Sequence, residues 1–445
     1  MNTIINKYYG KLIFPESGEE ITDIWLFETT DQIYCEIPMS LHGSKSWDIV
    51  HGVFNGKGAV SLVNVFASGG SSGDGGSYRK LDVPTLVWGV LLESVESKAL
   101  NKLVLYSDAL KKWITESYHV DVDYQNHQFK IPEEKEIVSF TSDKFELKVY
   151  LNYGYNVSQK NVIIDQNSYV VVDFKEDLSV SDVRVFVYNL EKIILFLTWD
   201  NPKFRSISLN GGYFTMQWIN KDLDKVKFPI RPRLKYSEIK DSFSEIISKW
   251  FNTPRIEPII DLFQEKCFDN QLSPDRSFMN SCVALESFHK KFINDSVEIS
   301  DPTPIQNREK IKELIKEDSE LLKWFRSKTN FWKNPELYDR LLDLKPLYEK
   351  IIGDVFRAEP DLILRKIKKT RDKLAHEGMY YTEFEKNAES IIAERSIHFL
   401  LGLLIMKEFG INIHSDRENK IAEANTMLRN IARMNDYEGM KIHIK

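Results

Sequence analysis

The sequence predicts an α+β protein, with a β-rich N-terminal region followed by an all-α helical bundle. Three observations carry that prediction. Segments of the first half alternate apolar with polar residues and are rich in Val, Ile, Tyr and Phe, the period-two pattern of half-buried strands. A basic stretch with two prolines, "PIRPRLKYSEIKD" over 229–241, then interrupts the pattern as a linker does. Beyond it, apolar residues recur at helical spacing. A chain of 445 residues accommodates about two to four domains. The boundaries fall at 1–228 for the β-rich region, with room for two subdomains, 229–255 for a linker and leading helix, and 256–445 for the helical domain.

The strand candidates are "TDIWLFETTDQIYCEIPM", "SWDIVHGVFNGKGAVSLVNVFAS", "FELKVYLNYGY" and "NSYVVVDF", punctuated by turn pairs such as Asn55-Gly56 and Asn210-Gly211. Gly69 to Ser77, "GGSSGDGGS", lacks the Gly-Lys-Ser/Thr ending of a phosphate-cradling loop and reads as a mobile hairpin tip. "SDALKKWITES" predicts a short helix and "SVSDVRVFVYNLEKIILFLT" a longer one. In the second half, Ser273 and Pro274 open a helix that runs through "FMNSCVALESFHKKF". "NREKIKELIKEDSELLKWF" predicts one further helix. Pro360 opens another. Thr382 with Glu385 forms a capping box at the head of the next, which Gly410 can stop after about Phe409. Helices joined by short loops predict a bundle.

Composition narrows the function classes. The balance of 60 Lys+Arg against 66 Asp+Glu, net charge −6, argues against a protein that coats nucleic acid with its whole surface, and leaves room for a local basic patch. Cys35, Cys267 and Cys282 lie far apart with no paired spacing, which points to a reducing compartment. The apolar runs "IILFL" and "FLLGLLIM" are too short for a bilayer, which needs about 20 residues. The N-terminal stretch lacks the pattern of a secretion signal. The expectation is a cytoplasmic protein with no membrane partner.

That basic patch is "LRKIKKTRDKLAHEG", where six basic residues fall within positions 365–373. Ile363, Ile367, Thr370 and Leu374, with Leu364 and Ala375 beside them, form the stripe that buries this helix. Arg371 borders the stripe. His376 lies five residues on, about 140° round an ideal helix, so the two do not converge within one regular helix. Unwinding at Gly378 would bring them together, and so would a second copy of the helix related by a two-fold axis. Asp372, four residues before His376, is placed to hydrogen-bond it and fix its tautomer. Such residues suit metal-free RNA cleavage. Histidine works near neutral pH as base or acid, and arginine presents a charged fork matched to phosphate. Neighbouring lysines would draw in the polyanion.

"RDKLAH", Arg371 to His376, fits the R-x4-6-H motif and resembles that of HEPN-domain ribonucleases, with Asp372 as the polar residue after the arginine. "NSCVALESFHKKF" is similar to the "alE" helix of HEPN domains of the ApeA type, with Glu286 at the matching place. "GKLIFP", "WDIVHGVFNGKGAVSLVNVF" and "TLVWGVLLESVESKALNKLVLYSDALKKWI" resemble the ApeA N-terminal domain. The resemblance implies a metal-independent anti-phage abortive-infection endoribonuclease that dimerises through the helical domain and cuts RNA, tRNA or mRNA, in a cleft composed from both copies. It implies Arg371 and His376 as the catalytic pair and Asp372 as an orienting residue. It makes the β-rich half a sensor or regulatory region, with a phage-derived molecule as a possible trigger. Local chemistry adds Lys368, Lys369, Lys373 and Glu377 as substrate-binding residues. No cofactor and no metal are expected. The alternative is a non-catalytic binding protein whose helical domain is a dimerisation scaffold.

Other motifs have plainer readings. Glu286-x-x-His289 matches half of a di-metal carboxylate site, but Glu394 with His398 has the wrong spacing for the other half. Glu286 is read as a polar residue bonded near the core or the cleft, and His398 as a satisfied core or interface histidine. Trp25, Trp47, Trp88 and Trp113 are read most simply as β-core, and a carbohydrate- or peptide-binding cleft would use the same residues.

Overall fold

Alternation in the first half produces a ring of strands. A computed structural model of the chain describes residues 4–442 apart from 30–31, 39–45, 74–75, 115–120, 124–127, 131–132, 158–161, 201, 203, 210–213, 219–233, 269–271, 295–297, 330–333, 354, 356–358, 378–386 and 412–416. Two compact units result, one built from the residues before the 219–233 gap together with Leu234–Phe251, the other from Asn252 onward.

The strands of the first unit are β1 (Ile4–Phe14), β2 (Glu19–Thr29), β3 (Ile33–Pro38), β4 (Ser46–Phe54), β5 (Gly58–Gly73), β6 (Gly76–Asp82), β7 (Thr85–Trp88), β8 (Leu100–Ser107), β9 (Asp121–Asp123), β10 (Gln128–Lys130), β11 (Lys135–Thr141), β12 (Phe145–Val157), β13 (Val162–Leu178), β14 (Phe204–Leu209) and β15 (Phe214–Trp218). β9 and β10 form a separate ribbon, and the others share one sheet in the order β11-β12-β13-β8-β14-β15-β7-β5-β4-β1-β2-β3-β6. β5 closes part of it. Its first half pairs with β4 and β7, and its later residues, Phe66 to Gly73, pair with β6. The circuit β4-β1-β2-β3-β6-β5 therefore has no free edge, as in a barrel. Its interior holds the inward residues, among them Leu12, Leu26, Cys35, Phe54, Leu62, Leu81 and Trp88. Gly10 stands where β1 crosses β4, and a Cβ there would strike the Val53 carbonyl and the Phe54 ring.

Two sequence readings change here. The Gly/Ser stretch at 69–77 is read as a mobile loop, yet Gly69, Gly70, Ser71, Ser72 and Gly73 pair in register with Lys80, Arg79, Tyr78, Ser77 and Gly76. Backbone pairing needs no side chain, so the ladder runs on to Gly73 and Gly76; residues 74–75 lie outside those described. Of the four tryptophans, Trp47 and Trp88 are buried core, while Trp25 remains 38% exposed beside Tyr9. Trp113 is half-buried, and its indole N–H donates to the Leu234 carbonyl at 2.8 Å.

Helices α1 (Asp108–Trp113) and α2 (Val180–Thr198) pack against β13. α2 starts in a reciprocal box: the Asp182 N–H donates to Ser179 Oγ at 3.1 Å, and the Ser179 N–H to Asp182 Oδ2 at 3.2 Å. Helices α3 (Tyr236–Ile239) and α4 (Phe243–Asn252) follow. Residues 234–251, read from the sequence as linker and leading helix, cluster with this unit. Phe251 stacks on Phe140, and Ser244 Oγ donates to the Ser139 carbonyl at 2.6 Å.

The second unit is helical: α5 (Glu257–Phe268), α6 (Pro274–Phe288) with a π-turn over His289–Ile293, α7 (Thr303–Leu314), α8 (Ser319–Thr329), α9 (Leu337–Asp343), α10 (Lys345–Ile352), α11 (Pro360–Glu377), α12 (Asn387–Glu408) and α13 (Arg417–Ile442). α12, buried on nearly all sides from Ile392 to Met406, is enclosed by α6, α10 and α13. Gly410, at φ +75°, ends it, and the Ile411 N–H returns to the Met406 carbonyl at 2.9 Å. Thr382 and Glu385 lie outside the described residues. "NREKIKELIKEDSELLKWF" is two helices rather than one. Asp318 accepts the Leu321 N–H at 2.9 Å and starts α8 afresh, where the apolar stripe lapses: Leu314 is 83% exposed and Ile315 only half-buried. Among the described residues no helix is long and apolar enough to cross a membrane.

Candidate active site

Helix α11 begins at Pro360 and sits on α6 and α9. Ile363, Leu364, Ile367 and Thr370 are buried, as the stripe predicts. The stripe fades toward the C-terminal end. Leu374 is half-buried, and Ala375, placed beside the stripe from sequence, is exposed together with His376. The helix thus emerges from the bundle over its last turn while its backbone stays helical through Glu377.

Arg371 lies where the burial ends, with its side chain 23% exposed. α6 is aimed at it. Ser273 caps that helix by accepting the Arg276 N–H, Pro274 takes its first turn, and its fourth turn presents Glu286, which receives Arg371 Nη2. Arg371 Nη1 donates to Asp372 Oδ1 at 2.9 Å, while its buried Nε has no hydrogen-bond partner among the described residues. Burial opposes the charge of Arg371, but Glu286 and then Asp372 outweigh it and hold the guanidinium above its ordinary pKa. Cys282, one turn before Glu286, is buried, and burial pushes its thiol up, which makes it a packing residue here. Cys35 is likewise buried and free, and the side chain of Cys267 lies outside those described.

Asp372 faces away from His376. Its Oδ2 accepts Lys368 Nζ at 2.8 Å, one turn back, and Lys368 also reaches Glu336 at 3.0 Å. The Asp372–His376 hydrogen bond expected from spacing is therefore not made among the described residues. Two cations on the N-terminal side, Lys368 and the adjacent Arg371, take both carboxylate oxygens instead. Burial works against the charge of Lys368, yet Asp372 and Glu336 raise its pKa. Lys369 is exposed and Lys373 half-buried. The Glu377 side chain and Gly378 lie outside those described.

Glu286 and His289 turn to different partners. His289 is fully buried; its Nε2 meets Asp343 Oδ2 at 2.8 Å, and Arg340 Nη1 donates to its Nδ1 at 3.3 Å. Glu394 accepts Ser277 Oγ at 2.7 Å. His398 is buried, bonded to the Phe263 carbonyl at 2.9 Å and stacked on that ring, a satisfied core histidine as read. Sequence reasoning placed Arg371, Asp372 and Lys368 on one helix and read Glu286 as a polar residue bonded near the core or the cleft, without naming Arg371 as its partner. It missed Glu336, 32 residues before Lys368, for which the sequence carries no periodic signal.

What stands at this end of α11 is a fixed, charged guanidinium with carboxylate support, next to an exposed imidazole and exposed lysine. That set can bind an anion and move protons. The model of ApeA N-terminal domain 1 matches residues 3–250, and the model of the Apea-like HEPN domain matches residues 279–413. The chain belongs to the ApeA family. The first match ends inside α4, one residue short of the end of the β-rich unit, and the second runs from α6 to just past the cap of α12, so it encloses Arg371 and Glu286. Membership in the ApeA family with an Apea-like HEPN domain implies a nuclease-type role in anti-phage defence. No curated protein and no solved structure matches the chain.

Proposed function

We propose that the chain is a metal-independent endoribonuclease of anti-phage abortive infection, with Arg371 and His376 of two copies gathered around one phosphodiester. The observation that carries this reading is the division of labour along one unbroken helix. Arg371 is half-buried and clamped by Glu286 and Asp372, whereas His376, five residues on, is exposed at the emerging end. Because the backbone stays helical through Glu377, the side chains point in directions about 140° apart. A second copy across a two-fold axis supplies the convergence that one chain lacks.

The chemistry then balances without further groups. One imidazole takes the proton of the ribose 2′-hydroxyl as its oxygen attacks phosphorus. The P–O5′ bond breaks, and the partner's imidazolium gives its proton to the leaving 5′-oxygen. The guanidinium, with N–H groups to spare beyond its two carboxylates, meets the charge that builds on the non-bridging oxygens. A cyclic phosphate and a free 5′-hydroxyl remain. Asp372 acts on Arg371, which it fixes, rather than on His376. The β-rich unit serves as the sensor or regulatory region, and the cytoplasm, where the RNA is, is the place of action.

The test is incubation of purified protein with cellular RNA in chelator, followed by mapping of new 5′ ends. Cleavage is expected with wild type and lost, by about a hundredfold or more, with Arg371→Ala and with His376→Ala. Intact RNA with wild type, or cleavage indifferent to both substitutions, overturns the proposal and leaves the helical domain as a scaffold.

A further inference from the structure

The cations of α11 do not all face Arg371. Arg365 and Lys369, one turn apart, line a cleft of about 650 Å³ between α11, the start of α9 and the segment leading into α7. Lys368 lines it too, and through Asp372 it joins the cleft to Arg371. The Arg365 guanidinium lies over the ring of Tyr338, 4.8 Å from its centroid. Resting on the proposed ribonuclease activity, we infer that this cleft binds an unpaired nucleotide of the RNA, next to the one that is cut.

The charges sort by what each is already doing. Lys368 is held by Glu336 and Asp372. Asp339 is buried and spends both oxygens on backbone, accepting the N–H groups of Ser300 and Glu336 at 2.8 Å each. Asp301 accepts the Thr303 N–H at 2.9 Å. Arg365 and Lys369 have no ion pair among the described residues. Three carboxylates line the cleft, Asp339 buried and Asp301 and Glu336 exposed, and together they repel a phosphate; their remaining lone pairs suit the amino and imino groups of a base edge, and Asn334, also exposed, offers both donor and acceptor. The Arg365–Tyr338 pair is a stacking platform, the kind that holds splayed single-stranded bases. Lys369, exposed at the rim, is left for the phosphate. The volume falls within the range of small-molecule sites, about 300–1,000 Å³. A base inside and its phosphate at the rim is the arrangement that satisfies every group. A duplex, whose bases are stacked away, cannot enter.

The experiment uses the full chain carrying His376→Ala, so that RNA is bound and not consumed, and fluorescein-labelled single-stranded RNA 12-mers read by anisotropy. Tyr338→Ala is expected to weaken binding at least about fivefold, Lys369→Gln to weaken it and flatten its salt dependence, and Tyr338→Phe, which keeps the ring, to leave it within about twofold. Circular dichroism checks that each variant is folded. Titration with AMP, GMP, CMP and UMP separates the two sources of the same chemistry. Mononucleotides that bind tightly while the RNA affinity ignores Tyr338 and Lys369 overturn the inference in favour of a free nucleotide, and RNA affinity unchanged in all variants overturns it outright. Wild-type protein that binds RNA through this cleft yet cuts none refutes the nuclease reading and leaves the binding result standing.

Discussion

At the scale of single residues, the pair that matters is Arg371 with Glu286. The guanidinium is mostly shielded, so its charge has to be answered by protein, and Glu286 and Asp372 answer it. Removing Glu286 leaves a half-buried cation with one carboxylate and frees the side chain to swing. Glu286→Ala is expected to destabilise the helical domain by about 1–2 kcal/mol, the value of a charge-assisted bond reduced for partial exposure, and to lower RNA cleavage without abolishing it. Urea unfolding and cleavage rates on the same preparation check both. The pH dependence has a definite sign. Arg371 is raised above its ordinary pKa, so its share of the stability is complete below that ordinary value and is lost only as pH climbs through the raised one. The gap between wild type and Glu286→Ala should therefore be the same at about pH 7 and about pH 9. A gap that closes by pH 9 would mean that another group holds the site.

At the scale of elements, local chemistry sets the ends and burial sets the faces. α2 makes this measurable because its box is isolated from any proposed site. Ser179→Ala removes the acceptor of the Asp182 N–H and should cost about 1 kcal/mol in urea unfolding at neutral pH. Bonds from Ser179 hold the Asp182 carboxyl below its usual range. That contribution is present above the ordinary carboxylate pKa and disappears as pH falls through the lowered one, so the wild-type and variant curves should converge in acid. Caps of this kind are also what was legible in the sequence: Ser273-Pro274 started a helix and Gly410 stopped one where their chemistry says they must, and the stripe of Ile363, Ile367 and Thr370 gave the buried face of α11. What was not legible is non-local. Glu286 meets Arg371 across 85 residues, and β5 reaches both β4 and β6 through a length no local period specifies. The split between α7 and α8 was missed for a different reason. Periodic apolar residues run through it, but nothing packs on Leu314, and a helix survives only where its stripe is covered. The Asp372–His376 bond was expected and is not made, because spacing names reachable partners without ranking the competitors, here Lys368 and Arg371.

At the scale of the whole molecule, the question is how many chains make one site. α11 carries both proposed catalytic groups, yet it buries one and exposes the other at its emerging end. If each chain worked alone, a variant chain would be a bystander. Mixed in equal amount with wild type, His376→Ala would then halve the activity per total chain, and subunit exchange would change nothing. If both imidazoles serve one phosphodiester, one as base and the other as acid, a mixed dimer lacks one of them. After exchange at equal amounts about a quarter of the dimers are wild type on both sides, so activity should fall to about a quarter rather than about a half. Native mass spectrometry on the same mixture counts the mixed dimers directly. Arg371→Ala should act in the same direction but less completely, because the remaining guanidinium still meets the charge on phosphorus while a missing acid or base stops a proton transfer. A mixture that stays at a half while mixed dimers are abundant would place a complete active site within one chain, and α11 would then have to bend at its end for Arg371 and His376 to meet.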